Sequence, residues 1–323
     1  MKTPSASLAA VSGILVLINL VGNCIICAVI LRNGFMRTPI NFLLLNLAVA
    51  DIYIGIFALP VRVFGGVYKH PEGELGNKLC KIITGDHVLY CGVTASAFNL
   101  CAIAYERYLA VIHPFTARKM VTSRKVFLLI MADWLLAVAI VSFFWFVSVF
   151  DHKKQYCVIE PRFRSVNSIY TMLYGCSVAG VPFVIMLLLY GRVILEMVKK
   201  QRQVFSTEGM ARNRFKKRIT LMLLVVTAIF LSTWVAAAII VLSVGGYYPG
   251  SSSAMASTVL VCINSSVNCF VYNLFSTQFR RGLRNLLCCY DANDVAGRLQ
   301  HAERNAAGEE YSNGKTATFD TKF

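Results

Sequence analysis

The stretch Ala102-Ile103-Ala104-Tyr105-Glu106-Arg107-Tyr108-Leu109-Ala110-Val111 decides how the chain is read. It closes an apolar run over 80–111 and stops just before His113-Pro114-Phe115. An arginine is expensive in a bilayer core, so one at the inner end of a spanning helix needs a partner and usually a task. Glu106 is the adjacent partner, since a carboxylate at a low-dielectric rim favours the charged guanidinium. A pair that can be broken there is a switch. The alternative is an arginine that snorkels from a helix end.

Working outward, apolar runs of spanning length, about 20 residues or more, fall at 8–31, 39–64, 80–111, 124–147, 169–198, 216–243 and 253–275. Backbone groups in lipid must be satisfied internally, so these runs predict helices. The chain is 57% hydrophobic and 15% charged, against about 25% charged in soluble domains. That composition excludes a soluble enzyme. The net charge of +16 is sorted by side rather than gathered into a nucleic-acid patch. Arg32, Arg37, Arg118, Lys119, Lys199, Lys200, Lys216, Lys217, Arg280, Arg281 and Arg284 crowd one side, while the other holds few, such as Arg62, Lys78 and Lys153. The positive-inside rule then places the N-terminus outside and the C-terminus in the cytoplasm of a multi-pass plasma-membrane protein. The first run reads as a retained span rather than a removed signal peptide. Most of the eleven cysteines lie in apolar runs and read as small packing residues.

Polar residues inside the runs are sparse. Asp51 sits mid-membrane with Ser96, Asn264, Ser265 and Asn268 as available neutral partners. An ionisable residue at that depth is a functional candidate by default. Oxygen ligands of this kind suit a small hard cation, here sodium, and a protonated structural Asp is the alternative. Asp133 stands beside Trp134, Pro182 precedes Tyr190, and Phe230 and Trp234 are one turn apart. Pro182 predicts a kink. After the seventh run, Phe279, Leu283, Leu286 and Leu287 fall on one helical face, with Arg280, Arg281 and Arg284 on the other. This predicts a short helix on the inner leaflet.

In this order the residues resemble the rhodopsin-like (class A) family of G-protein-coupled receptors, over roughly residues 8–289. The motifs are Gly22-Asn23, Leu47-Ala48-Val49-Ala50-Asp51, Cys80 with Cys157, Glu106-Arg107-Tyr108, Trp134, Pro182 with Tyr190, Trp234, and Asn268-Cys269-Phe270-Val271-Tyr272. The resemblance implies an all-α membrane protein: a seven-transmembrane helix bundle over 1–289, with a short amphipathic helix at the inner membrane surface and a disordered cytoplasmic tail over 290–323. It implies a Cys80–Cys157 disulfide. It implies a sodium site of Asp51, Ser96, Asn264 and Asn268 as an allosteric group, with no other cofactor. Arg107 would leave Glu106 on activation and meet a heterotrimeric G protein, with Tyr190 and Tyr272 filling the gap. Three residues depart from the family's habit: Ala236 and Cys269 stand where prolines are usual, and Ala97 where an isoleucine is usual. Two kinks are therefore expected to be softer.

The expected ligand pocket draws on Arg62, Asp86, His87, Tyr90, Tyr174, Trp234 and Thr258. Leu89 occupies the place of the family's amine-binding Asp, although Asp86, one turn outward, could substitute. Cys262 occupies the place of the retinal Schiff-base Lys. The ligand is expected to be a short peptide or a small carboxylate-bearing molecule that meets Arg62 or the loop cations Lys153, Lys154, Arg162 and Arg164. Membrane lipids are partners through palmitoylation at Cys288 and Cys289. Arrestin and a PDZ domain are further partners, the latter through the terminal Thr321-Lys322-Phe323. The alternative function is a membrane transporter or proton channel built on Asp51. Internal repeats and paired broken helices, the mark of many transporters, do not stand out.

Overall fold

The computed structural model describes residues 6–64, 70–153, 156–201, 207–243 and 252–287. The protein has seven helical spans long and apolar enough to cross a membrane: Ala9–Arg32, Pro39–Val63, Gly73–Ile112, Ser123–Val147, Ser165–Lys199, Thr220–Val241 and Ala256–Phe275. It is a multi-pass membrane protein with the expected all-α architecture. The third span is the hub. It packs against the second, fourth, fifth and sixth, and 72% of its apolar window is buried, against 56% for the next most buried span, the second.

Two boundaries move. The third helical unit starts at Gly73 rather than at 80, and the fifth begins with a helix from Arg164. Both added pieces are polar, so hydropathy alone does not include them. The third unit is also broken. A turn at Gly85–Asp86 separates its first part from the long helix His87–Ile112. Asp86 there has φ 64, a left-handed conformation that costs little only for Gly, Asn and Asp. Gly85 is required at the break. A Cβ on it would lie 2.2 Å from the Cys80 carbonyl oxygen.

The connection between the fourth and fifth spans is an antiparallel hairpin, Ser148–Asp151 with Tyr156–Ile159. Cys157 in its second strand forms the disulfide with Cys80, as expected. Phe150, opposite Cys157 in the register, packs on that bond and stacks on His70 with ring centres 4.1 Å apart. The hairpin marks one end of the bundle. Glu106 and Arg107 mark the other.

The sixth and seventh helices, Thr207–Ser243 and Ser252–Phe275, run unbroken. The reason is local: Ala236 and Cys269 keep the N–H that proline lacks and bring no ring against the preceding turn. Pro182 instead follows a widened π-helical turn at Cys176–Gly180, which accommodates the proline. The first and seventh spans approach closely at Gly22, where a Cβ would meet the Cys269 Sγ at 2.5 Å. Asn23 Nδ2 donates to the Ser265 carbonyl at 3.1 Å, and the Ser266 hydroxyl donates to the Leu15 carbonyl at 2.9 Å.

The short helix after the seventh span is Thr277–Leu287. Phe279 is buried, and Leu283 and Leu286 pack on the core. Leu287 does not join them: it is 73% exposed. The contact is made instead by the backbone at Gly282, whose carbonyl accepts from Asn33 Nδ2 at 3.2 Å. Arg280 donates to the Asn273 and Leu274 carbonyls at 2.9 and 2.8 Å, which caps the end of the seventh helix. Cys288, Cys289, the tail over 290–323 and Thr321-Lys322-Phe323 lie outside the described residues.

Candidate functional site

At the hairpin end a cavity of about 410 Å³ lies between the third, fifth, sixth and seventh spans. Four of the expected pocket residues line it: His87, Tyr90, Tyr174 and Trp234. Tyr174 is fixed by its hydroxyl, 3.0 Å from that of Thr94. Tyr90 meets the Tyr174 ring edge-on at 5.9 Å. His87 is held by Ser148, whose hydroxyl is 2.7 Å from its Nε2, and it stacks on Phe144. Trp234 leans on Phe230 at 5.9 Å. Ser96 and Asn264 also line the cavity, so it shares two residues with the polar centre of the bundle.

Arg62, Asp86 and Thr258 do not line it, which corrects the expectation. They form a closed group beside it. Arg62 Nη2 lies 2.5 Å from Asp86 Oδ2, with the two side chains 2% and 0% exposed, and donates to Thr258 Oγ1 at 2.7 Å. The carboxylate of Asp86, held by its left-handed backbone, already occupies the face of Arg62 that a ligand carboxylate would need. The same pairing takes Asp86 away from an amine. Arg162 is likewise engaged, with Glu160 at 2.7 Å. Lys153 is exposed, while Lys154 and the Arg164 side chain lie outside the described residues.

In the middle of the bundle, Asn268 Nδ2 donates to Asp51 Oδ2 at 2.6 Å. Asn19 Nδ2 donates to the Asp51 backbone carbonyl at 2.7 Å; Asn19 was not singled out from the sequence. Asp51 is wholly buried. The Ser265 side chain reaches the Asp51 carboxylate, while among the described residues Ser96 Oγ has no hydrogen-bond partner. A buried carboxylate beside a hydroxyl and an amide is donor chemistry that suits a hard cation. Asn264 makes no hydrogen bond among the described residues and faces the cavity instead. Nearby, Trp134 donates to Asn46 Oδ1 at 3.0 Å, which fixes the fourth span on the second. Asp133 is 7% exposed and its Oδ2 has no partner among the described residues.

At the far end, Arg107 Nε donates to Glu106 Oε2 at 2.5 Å, with the side chains 11% and 12% exposed. The pair lines a second cavity of about 350 Å³ together with Met222, Leu223, Ser276 and Gln278. Tyr108 turns away and meets His113 edge-on. Tyr190 and Tyr272 are 3% and 2% exposed; Tyr190 reaches the Thr227 side chain, and the Tyr272 hydroxyl has no partner among the described residues. Among the described residues a cavity thus lies at each end of the bundle, and the first shares Ser96 and Asn264 with the polar centre.

Residues 22–272 match the description 7 transmembrane receptor (rhodopsin family). The chain belongs to that family. It is a G-protein-coupled receptor of the rhodopsin class, and the family is one of receptors rather than enzymes. An extracellular ligand and a G protein are the partners that membership implies. The transporter reading of Asp51 gives way to it. The receptor is 27% identical to galanin receptor 2a of Danio rerio over 314 residues, covering 92% of this chain and 82% of that one. It is 26% identical to neuropeptide FF receptor 2 of Rattus norvegicus over 294 residues, covering 82% and 69%. It is 26% identical to neuropeptide FF receptor 1 of Homo sapiens over 293 residues, covering 83% and 67%. His70, Cys80 and Cys157 place ligand-type atoms within 4.8 Å of one another, but both sulfurs belong to the disulfide and hold no metal in that form.

Proposed function

We propose that this receptor binds a short extracellular peptide at the hairpin end and couples it to a heterotrimeric G protein at the Glu106–Arg107 end. The observation that carries the peptide over the small carboxylate is the buried Arg62–Asp86–Thr258 group. Among the described residues it leaves the cavity lining without the free cation that a small anion would need. The curated relatives named for galanin and neuropeptide FF support the same choice. On this reading the hairpin faces outside and the N-terminus is extracellular. The Cys80–Cys157 bond holds the hairpin over the cavity mouth, so a peptide meets a formed rim rather than a loose loop.

The formed Arg107–Glu106 pair is the resting arrangement. Activation separates it, frees Arg107 for the G protein and lets Tyr190 and Tyr272 fill the gap. A peptide achieves this only through higher affinity for the open arrangement. The buried oxygens of Asp51, Ser96 and Ser265, with Asn268 bonded to the same carboxylate, would suit a sodium ion, and such an ion would favour the resting arrangement. Palmitoylation at Cys288 and Cys289 would add to the membrane contact of the short helix, with arrestin and a PDZ protein as cytoplasmic partners.

A library of short peptides and small carboxylates, read by nucleotide exchange on added G proteins, tests the assignment. Exchange driven by a peptide is expected. Exchange driven only by small carboxylates would overturn the peptide reading. Glu106→Gln removes the negative charge that holds Arg107. A charge-assisted bond at a partly exposed rim is worth about 1 kcal/mol, so agonist-independent exchange should rise roughly fivefold. An unchanged basal rate would make the pair structural.

A further inference from the structure

The hairpin-end cavity is not closed on all sides. We propose that it opens sideways, between the fifth and sixth spans, and takes an uncharged single-chain lipid: an alkyl chain bearing a hydroxyl, ester or amide. The inference goes beyond the peptide reading and does not depend on it.

The wall on that side is built of small residues. Gly175, Cys176, Ala179 and Gly180 of the fifth span face Ala237 and Ala238 of the sixth, and all six line the cavity. Elsewhere it is walled by large rings, among them Phe144, Tyr174 and Trp234. Cys176, Gly180 and Ala238 are at once cavity lining and exposed surface. Residues that belong to both mark a gap, not a wall. A Cβ built on Gly175 or Gly180 meets nothing within 4 Å, so nothing from the sixth span fills the space in front of them.

The depth of the gap sets what can enter. Ala237 and Ala238 lie within the apolar span Thr220–Val241, toward its Val241 side. That is inside one leaflet of a hydrocarbon core about 30 Å thick. On that placement the opening faces alkyl chains. The acyl chain of the occupant then keeps an apolar environment throughout, and the desolvation of its polar head is offset by hydrogen bonds inside the cavity.

Two polar groups point to the head of the occupant. Asn264 is 9% exposed, lines the cavity and has no hydrogen-bond partner among the described residues. Thr171 Oγ1, also in the lining, is buried and lacks a partner. A buried hydroxyl left open loses free energy unless a ligand bonds it, and the Asn264 amide in the same lining offers a further donor and acceptor. Both can donate and accept, and neither is charged. With Arg62 and Asp86 bound to each other, the cavity lining offers, among the described residues, no counter-ion to a free fatty acid or a long-chain amine. An ester, hydroxyl or amide head fits this donor and acceptor set.

Trp234 lies in the same cavity and reports on the chain. In a Trp134→Phe, Trp145→Phe background, the receptor in nanodiscs is titrated with a monoacylglycerol whose chain carries two bromines at mid-length. Saturable quenching of Trp234 is expected, relieved by the unbrominated monoacylglycerol. Gly175→Leu with Gly180→Leu narrows the gap in space the structure leaves open. Excluding about two methylenes should raise the half-saturating concentration about tenfold. Thr171→Val keeps the shape, removes one head contact and should weaken the same probe, which keeps the test open if the glycine variant does not fold. The brominated free fatty acid should quench only at higher concentration. Quenching that rises without saturation, or that is the same in both variants, would overturn the proposal. The titration uses neither agonist nor G protein, so its outcome stands apart from that of the peptide screen.

Discussion

Asp86→Asn should destabilise the folded receptor by about 3–5 kcal/mol, the usual cost of removing one partner of a buried ion pair. Asp86 and Arg62 are 0% and 2% exposed in their side chains and 2.5 Å apart. Asparagine tolerates the left-handed backbone almost as well as aspartate, so the substitution isolates charge from strain at φ 64. It can still accept one hydrogen bond from Arg62, but it cannot neutralise the guanidinium. The double variant Arg62→Met, Asp86→Asn removes both charges, and buried pairs replaced by neutral groups are often no less stable. It should therefore be more stable than Asp86→Asn alone. Thermal unfolding in nanodiscs and the fraction reaching the cell surface measure this. A single variant that melts with the wild type would show that water reaches the pair and that Arg62 remains open to ligands after all.

The same pair shows where sequence reading stops. The seven spans were legible because apolar length is a one-dimensional signal, and the Cys80–Cys157 bond followed from the family motif. Which residues face one another was not. A helix that is hydrophobic all round gives no face to orient it, so Arg62 and Asp86 read as two pocket charges instead of one neutral pair. The break at Gly85–Asp86 was hidden inside an apolar run. The hairpin has a readable cue, since Ser148-Val149-Phe150-Asp151 and Tyr156-Cys157-Val158-Ile159 are short β-rich segments around a polar loop. At the polar centre the sequence supplied Asp51, Ser96, Asn264 and Asn268. The structure adds Asn19 and directs Asn264 toward the ligand cavity, a matter of helix rotation that spacing does not encode.

Asp51→Asn should abolish the inhibition of agonist binding by sodium while leaving the fold largely intact. Asp51 Oδ2 accepts from Asn268 at 2.6 Å, and an asparagine carbonyl can accept the same bond. Its other side-chain position can donate to the Ser265 hydroxyl that reaches the carboxylate. Shape and hydrogen bonding are thus kept, and charge alone is lost. The remaining polar groups of the cluster, Ser96, Asn264, Ser265 and Asn268, are all neutral, so nothing else at the centre offsets a cation. Coupling between two sites is reciprocal: if sodium lowers agonist affinity by a given factor, the agonist lowers sodium affinity by that factor. The usual size is about 1–3 kcal/mol, roughly 5–150-fold. Ser96 and Asn264 line the agonist cavity as well, so the two sites share side chains, and the upper half of that range is expected here. The measurement is agonist affinity in NaCl against N-methylglucamine chloride at constant ionic strength. Wild type should respond to the exchange of cations and Asp51→Asn should not. Equal sodium sensitivity in both would make Asp51 a neutral structural residue and move any cation site elsewhere in the bundle.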